Sequence, residues 1–241
     1  MEKIIEIKDL HKSYGEKEVI KGISLDVYQG EVFGFIGRNG VGKSTTIECM
    51  IGIKDFNSGE ITLNGKNIVK EPIEAKKNIG YVSSDPICYE SMTGYGYISF
   101  CASIYNVNKG VFTERYYKLA NILNMSLNDL QRPIKDYSHG MKQKVCLIAS
   151  IIHKPKIWIL DEPTVGLDAL TAEDLIKLIK YYSSLGNTCF VTSHNIDLVA
   201  KICNRVAFIN NGKIHKLFNL DEHPEERANL SSYFLSILEN D

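Results

Sequence analysis

The sequence lacks the features that would place it in a membrane, on a nucleic acid or in an oxidising compartment. No stretch approaches the roughly 18 consecutive apolar residues of a spanning helix. The opening Met1-Glu2-Lys3-Ile4-Ile5-Glu6 alternates apolar and charged side chains and has no apolar centre of the kind a secretory signal carries. Charge of one sign is not in excess either: 28 basic against 29 acidic residues leave a net charge of −1. That balance argues against a nucleic-acid partner and gives no whole-chain attraction to anionic lipid. The six cysteines, at 49, 88, 101, 146, 189 and 203, include no C-x-x-C pair. Their scatter argues against a zinc site or a disulfide framework and predicts free, buried thiols in a cytoplasmic protein. Low-complexity segments, internal repeats and long linkers are absent as well. What remains is ordinary for a globular chain with a proper core: 241 residues, 44% hydrophobic and 24% charged.

Against that plain background stands Gly37-Arg38-Asn39-Gly40-Val41-Gly42-Lys43-Ser44-Thr45, a complete G-x-x-x-x-G-K-[ST] string. The apolar run Val32–Ile36 leads directly into it, and a helical pattern follows to about Gly52. Such a strand-loop-helix unit holds nucleotide phosphates. Its glycines let the backbone turn and aim N–H groups inward, and the helix start adds the positive end of its dipole. Gly37, Asn39, Gly40, Gly42, Lys43, Ser44 and Thr45 are therefore the candidate phosphate contacts. Lys43 is placed to reach the β- and γ-phosphates of a nucleotide, and the Ser44 hydroxyl to ligate Mg²⁺.

The pattern predicts strands at 3–8, 23–28, 31–36, 59–63 and 79–82. Three helical stretches follow (about 93–106, 113–125 and 138–153) with no convincing strand among them. Strands return at 157–160, 188–191 and 206–209, with helices at about 171–184 and 195–202 between them, and a terminal helix after Asp221. The predicted fold class is α/β: a P-loop NTPase core with a mainly parallel sheet, an antiparallel β layer at the N-terminus and an all-helical subdomain. In this reading 1–84 and 153–220 form the core, 85–152 the helical subdomain and 221–241 a C-terminal helix, all within one domain.

Ile157-Trp158-Ile159-Leu160-Asp161-Glu162 ends an apolar strand in two carboxylates. This places both acids at the carboxyl edge of the sheet, where ligands bind in open α/β folds. Acids at the end of a buried strand call for a cation nearby. Asp161 fits the holding of Mg²⁺, and Glu162 fits a general base that polarises the attacking water. A guanine-binding Asn-Lys-x-Asp string is absent: Asn108-Lys109-Gly110-Val111 lacks the Asp.

With these residues in place, nearly the whole chain resembles the ATP-binding subunits of ABC transporters. Tyr137-Ser138-His139-Gly140-Met141 is similar to the family's signature loop, usually Leu-Ser-Gly-Gly-Gln. Asp161–Asp168 is similar to the carboxylate strand end and D-loop, Thr192-Ser193-His194 to the switch histidine, and Tyr14 to the aromatic that stacks on adenine. The resemblance implies a head-to-tail dimer in which each ATP lies between one phosphate loop and the partner's Ser138 and Gly140, with Asp168 nearby. It also implies catalysis by Lys43, Glu162 and His194. The partners implied are a separate transmembrane permease and a second ATPase subunit, identical or different, with the chain cytoplasmic and peripheral on the inner face of the cell membrane. The short chain and the string 137–144 resemble exporters of drugs, antibiotics or antimicrobial peptides. The alternative is a soluble, non-transport ABC ATPase acting on a cytosolic complex. One departure bears on the metal: the family's Gln after the strand 79–82 is Ser84 here. Either Ser84, through water, or the adjacent Asp85 takes its place.

Overall fold

The computed structural model describes residues 2–85 and 87–239. In chain order the first half contains β1 (Lys3–Tyr14), β2 (Lys17–Tyr28), β3 (Val32–Ile36), α1 (Lys43–Met50), β4 (Ser58–Leu63), β5 (Lys66–Asn67), α2 (Pro72–Lys76) and β6 (Ile79–Val82). A helical stretch follows: α3 (Gly94–Ile104), α4 (Lys109–Ile122), α5 (Leu127–Leu130), a 3₁₀ turn at Ile134–Asp136 and α6 (His139–Ile151). The remainder is β7 (Ile157–Asp161), α7 (Ala169–Ser184), β8 (Thr188–Ser193), α8 (Ile196–Ile202), β9 (Arg205–Asn210), β10 (Lys213–Asn219) and α9 (Glu226–Glu239).

Two sheets make the frame. A four-stranded antiparallel sheet has the order β2-β1-β4-β5, and a six-stranded sheet has the order β10-β9-β3-β8-β7-β6. In the second, β6, β7, β8, β3 and β9 run parallel and β10 returns antiparallel to β9. Sequence periodicity explains how this sheet is covered on both faces. Phe33 and Phe35 of β3, Ile157 and Ile159 of β7, Phe190 of β8, and Ala207 and Ile209 of β9 point to one side. There they pack with Ile47, Cys49 and Met50 of α1 and with the antiparallel layer. The alternating residues Val32, Ile36, Trp158, Leu160, Cys189, Val191, Val206 and Phe208 point to the other side, against α6, α7, α8 and α9. Continuous apolar runs are what a parallel sheet buried on both faces requires. Burying each large side chain here contributes about 1.5–3 kcal/mol relative to exposure.

Polar caps fix where the helices begin. The side chains of Thr93, Asn108, Ser138, Asp168 and Asn195 each accept a backbone N–H from the first turn of α3, α4, α6, α7 and α8 respectively. Each cap stabilises its helix by roughly 1 kcal/mol. The caps move α4 a few residues ahead of its predicted start, because Asn108 bonds Gly110. Between β6 and β7 the described residues form helices and an isolated bridge, Thr93 to Pro133, as the sequence pattern predicts. The polar stretch Lys213–Asn219, for which no strand is predicted, is β10. The antiparallel strand β1 runs on to Tyr14 through a series of register shifts.

Where α6 meets β6, the His153 ring stacks on Tyr105 with centroids 3.6 Å apart and planes within 9°. Nε2 donates to the Ile79 carbonyl at 3.1 Å. Nδ1 is buried with no partner among the described residues. Burial pushes this histidine down to about 4 from its usual 6.5. The unfolded chain therefore binds the proton first, so the neutral ring contributes fully above about pH 6.5. That contribution is lost as pH falls toward 4. His153→Phe, which keeps the stacking, should show a smaller drop in unfolding midpoint between pH 7 and pH 4.5 than the parent chain. Equal drops would contradict this account.

Candidate nucleotide site

The phosphate loop follows β3 directly, and two of its glycines are required by their surroundings. A Cβ on Gly37 would lie 2.3 Å from the Ile209 carbonyl of β9. Gly42 has φ +112, and a Cβ there would meet the Val19 carbonyl at 3.2 Å. The loop is thus pinned between β9 and β2. Gly42 also starts α1, where Thr46 returns its hydroxyl to the Gly42 carbonyl at 2.8 Å. Asn39, Gly40, Gly42, Lys43, Ser44, Thr45 and Glu162 line a cavity of about 130 Å³ at this point.

Lys43 is 5% exposed. Its ammonium donates to the carbonyls of Gly37 at 2.7 Å and Arg38 at 3.1 Å. It also lies 3.1 Å from Glu162 Oε1. That approach is an ion pair without hydrogen-bond alignment, which leaves Oε1 as a buried acceptor aimed into the site.

Glu162 owes its position to the neighbouring strand. Strands β7 and β8 pair in parallel with Asp161 opposite Thr192. Just beyond β7, Glu162 adopts φ +48, a left-handed conformation that costs a non-glycine residue about 1–2 kcal/mol. Its N–H is held by both the Thr192 carbonyl (3.2 Å) and the Thr192 hydroxyl (3.0 Å), and the twist turns the carboxylate toward Lys43. The Thr192 hydroxyl donates in turn to Asp161 Oδ1 at 2.5 Å. Glu162 Oε2 accepts the His194 N–H at 3.2 Å and lies 2.8 Å from His194 Nδ1. Lys43, Asp161, Glu162 and His194 are therefore joined in one network. Thr192 stands out as a residue whose contacts the sequence reading misses, although it sits in the string that led to His194.

The other predicted residues lie outside this network. Ser138 caps α6, accepting the Met141 N–H at 3.3 Å. Asp168 caps α7, accepting the Thr171 N–H at 2.8 Å and the Thr171 hydroxyl at 3.0 Å. The Thr171 N–H holds the Asp168 carboxyl below its usual range. Gly140 packs against Thr171, and the His139 ring packs against Gly166. These residues make a second cluster, which joins the start of α6 to the start of α7. Asp174 on α7 reinforces it by accepting Lys144 of α6 at 2.8 Å and Asn124 at 2.7 Å. Tyr14 stands at the tip of the β1–β2 hairpin, 44% exposed, with the ammonium groups of Lys12 and Lys54 at 5.0 and 5.2 Å from its ring. Ser84 lies at a bend two residues past β6, and Asp85 next to it is exposed, its carbonyl accepting the Ser83 hydroxyl at 2.5 Å.

A phosphate loop whose lysine meets the carboxylate at the end of β7, in a core carrying an antiparallel layer and a helical stretch, defines a P-loop ATPase of the ATP-binding-cassette class. Residues 20–165 match the family described as ABC transporter. A linearmycin resistance ATP-binding protein of Bacillus subtilis is 33% identical over 211 residues, covering 88% of this chain and 68% of its own length. A lantibiotic transport ATP-binding protein of Streptococcus pyogenes is 30% identical, covering 94% of this chain and 96% of its own. A methionine import ATP-binding protein of Clostridium tetani is 31% identical, covering 88% and 68%. A solved ATP-binding subunit of an ABC transporter superposes with a TM-score of 0.88 at 26% identity, over 96% of this chain and 99% of that one. The chain belongs to the ABC transporter ATP-binding family and is an ATPase.

Thr192→Val keeps the shape of the side chain but removes the hydroxyl shared by Asp161 and the Glu162 N–H. We expect ATP turnover to fall about tenfold, the equivalent of one charge-assisted hydrogen bond, with the unfolding midpoint lowered by a few degrees. Unchanged turnover would show that Thr192 does not set the carboxylate positions.

Proposed function

We propose that this chain powers export of drugs, antibiotics or antimicrobial peptides through a separate transmembrane permease, working in a homodimer or a heterodimer on the cytoplasmic face of the membrane. The observation behind the residue roles is the Glu162 carboxylate, held between Lys43 and His194 beside the phosphate loop. In the proposed reaction Lys43 and the loop N–H groups of residues 37–45 hold the β- and γ-phosphates. His194 orients Glu162, and Glu162 takes a proton as water attacks the γ-phosphorus. The bond from that phosphorus to the bridging oxygen breaks, and ADP leaves with the electron pair. Tyr14 stacks on adenine, and Ser138, Gly140 and Asp168 contact the nucleotide of the partner subunit.

The donor set suits Mg²⁺, a hard cation that takes oxygen ligands. Ser44, Asp161 and, through water, Ser84 would hold it, and the buried acceptor Oε1 of Glu162 faces the same space. Bound there, the metal would neutralise phosphate charge. No helix among the described residues is long and apolar enough to cross a membrane, which accords with a permease supplied by another chain. A groove of about 460 Å³ beside the Ser84 loop, edged by the exposed Ile87, Ile104 and Tyr105, offers that partner an apolar seat.

Export rather than import is favoured by the resistance and lantibiotic relatives, and the methionine importer is the counterexample to be tested. A strain lacking this chain should become more sensitive to antimicrobial peptides such as lantibiotics. The wild-type chain should restore resistance, and Lys43→Ala, which leaves the phosphate charge uncompensated, should not. Unaltered sensitivity to a broad panel, together with loss of uptake of a nutrient, would replace export by import.

A further inference from the structure

Away from the phosphate loop, α4, the C-terminal end of α6 and the second half of α7 enclose a separate cavity of about 420 Å³. Its apolar side has two tiers: Leu119, Ile151 and the Tyr182 ring are buried at the floor, and Val111 and Leu185, 38% and 46% exposed, stand above them. The Tyr182 hydroxyl donates to the Pro155 carbonyl at 2.5 Å, so its polar end is already engaged. Its rim is basic. Arg115 donates to the Ile152 carbonyl at 2.8 Å, which fixes the guanidinium on the wall while most of its donors stay uncommitted. The Lys118 ammonium lies 4.7 Å from the centroid of the Tyr181 ring. Lys154, at the turn leaving α6, is held at φ +58. Among the described residues neither Lys118 nor Lys154 forms an ion pair. Glu114 is the one acid among the lining residues, against three cations.

Three cations around one apolar hollow would repel each other less, and Val111 and Leu185 would be covered, with an anion in place whose body fills the hollow. A bare phosphate would satisfy the rim and leave the Val111 and Leu185 side chains in water. A neutral apolar ligand would fill the floor and leave the cations uncompensated. We propose that this cavity binds an anionic amphiphile: a phosphate or carboxylate headgroup carrying an apolar chain or ring. The headgroup would sit among Arg115, Lys118 and Lys154, and the apolar part over Leu119, Ile151 and Tyr182. A membrane phospholipid and a free acidic amphiphile share this chemistry. A ligand seated here would touch α4, α6 and α7 together and so bridge the helical stretch to the core. The near-zero net charge of the whole chain gives no sign of the site, because the positive field is local.

Calorimetric titration of the purified chain with dodecyl phosphate, below its micelle concentration, tests the proposal. Inorganic phosphate and neutral dodecyl maltoside serve as controls. Dodecyl phosphate should bind and both controls should bind far more weakly. Lys118→Gln with Lys154→Gln should weaken dodecyl phosphate binding about tenfold or more. Leu185→Gln, a half-exposed position on the apolar side, should weaken it less. Both variants should keep the ATP turnover and unfolding midpoint of the parent chain. Flotation with phosphatidylcholine vesicles, with and without phosphatidylglycerol, separates the two sources. Flotation only with phosphatidylglycerol, lost in the double variant, assigns a membrane lipid, whereas binding of the free amphiphile without flotation assigns a soluble one. Equal binding of dodecyl phosphate by the parent chain and the double variant would overturn the proposal. So would inorganic phosphate or dodecyl maltoside binding as tightly as dodecyl phosphate.

Discussion

The buried pairing of Lys43 with Glu162 is the interaction around which the site is arranged. An ammonium and a carboxylate at 3.1 Å, each under 10% exposed, would be costly to bury separately. Each is held by a different part of the sheet. Lys43 is held by the carbonyls of a loop pinned on β9 and β2, and Glu162 by the hydroxyl and carbonyl of Thr192 on β8. The pair therefore registers three adjacent strands, β9, β3 and β8, and the carboxyl end of a fourth, β7. It also gives the site a preset competition, because a phosphate group offers Lys43 an alternative anion. Under the proposed roles, an ammonium drawn to phosphate would leave the Glu162 carboxylate with His194 as its partner and able to accept a proton.

The wider fold serves this arrangement. A sheet buried on both faces holds its strand ends rigid, so that loops at its carboxyl edge carry the chemistry. The antiparallel layer braces the back of the phosphate loop through Val19, and the helices on the opposite face carry the second cluster at Ser138 and Asp168. The Lys144–Asp174 pair and Asn124 connect that cluster to the body of α7. The His139 ring beside Gly166 joins the start of α6 to the segment that follows Glu162.

Much of this is legible in the sequence where it is local or repetitive. The phosphate loop is contiguous, and Val32–Ile36, Ile157–Leu160 and Val206–Ile209 are unbroken apolar runs, so strand and loop follow from pattern alone. Strand β10 does not, because Lys213, His215 and Lys216 face solvent at a sheet edge and leave no apolar alternation. The role of Thr192 is hidden for another reason: its bond to Asp161 crosses between strands 31 residues apart, and a threonine at a strand end has many innocuous readings. The basic cavity is the least legible feature. Arg115, Lys118 and Lys154 look like solvated charges until α4, α6 and α7 bring them around one apolar floor. The proposed nucleotide roles of Tyr14, Ser138, Gly140 and Asp168 rest on resemblance alone, because their contacts here are helix caps, packing and, for Tyr14, two lysine ammonium groups.

The most direct test of the central claim is parallel measurement of ATP affinity and ATP turnover in Glu162→Gln. The amide cannot accept a proton from water and no longer pairs with the Lys43 charge. If Lys43 is shared between Glu162 and phosphate, and Glu162 is the base, this variant will bind ATP at least as tightly as the parent chain and fail to hydrolyse it. Turnover at the parent rate, or a loss of ATP affinity matching the loss of turnover, would contradict the account.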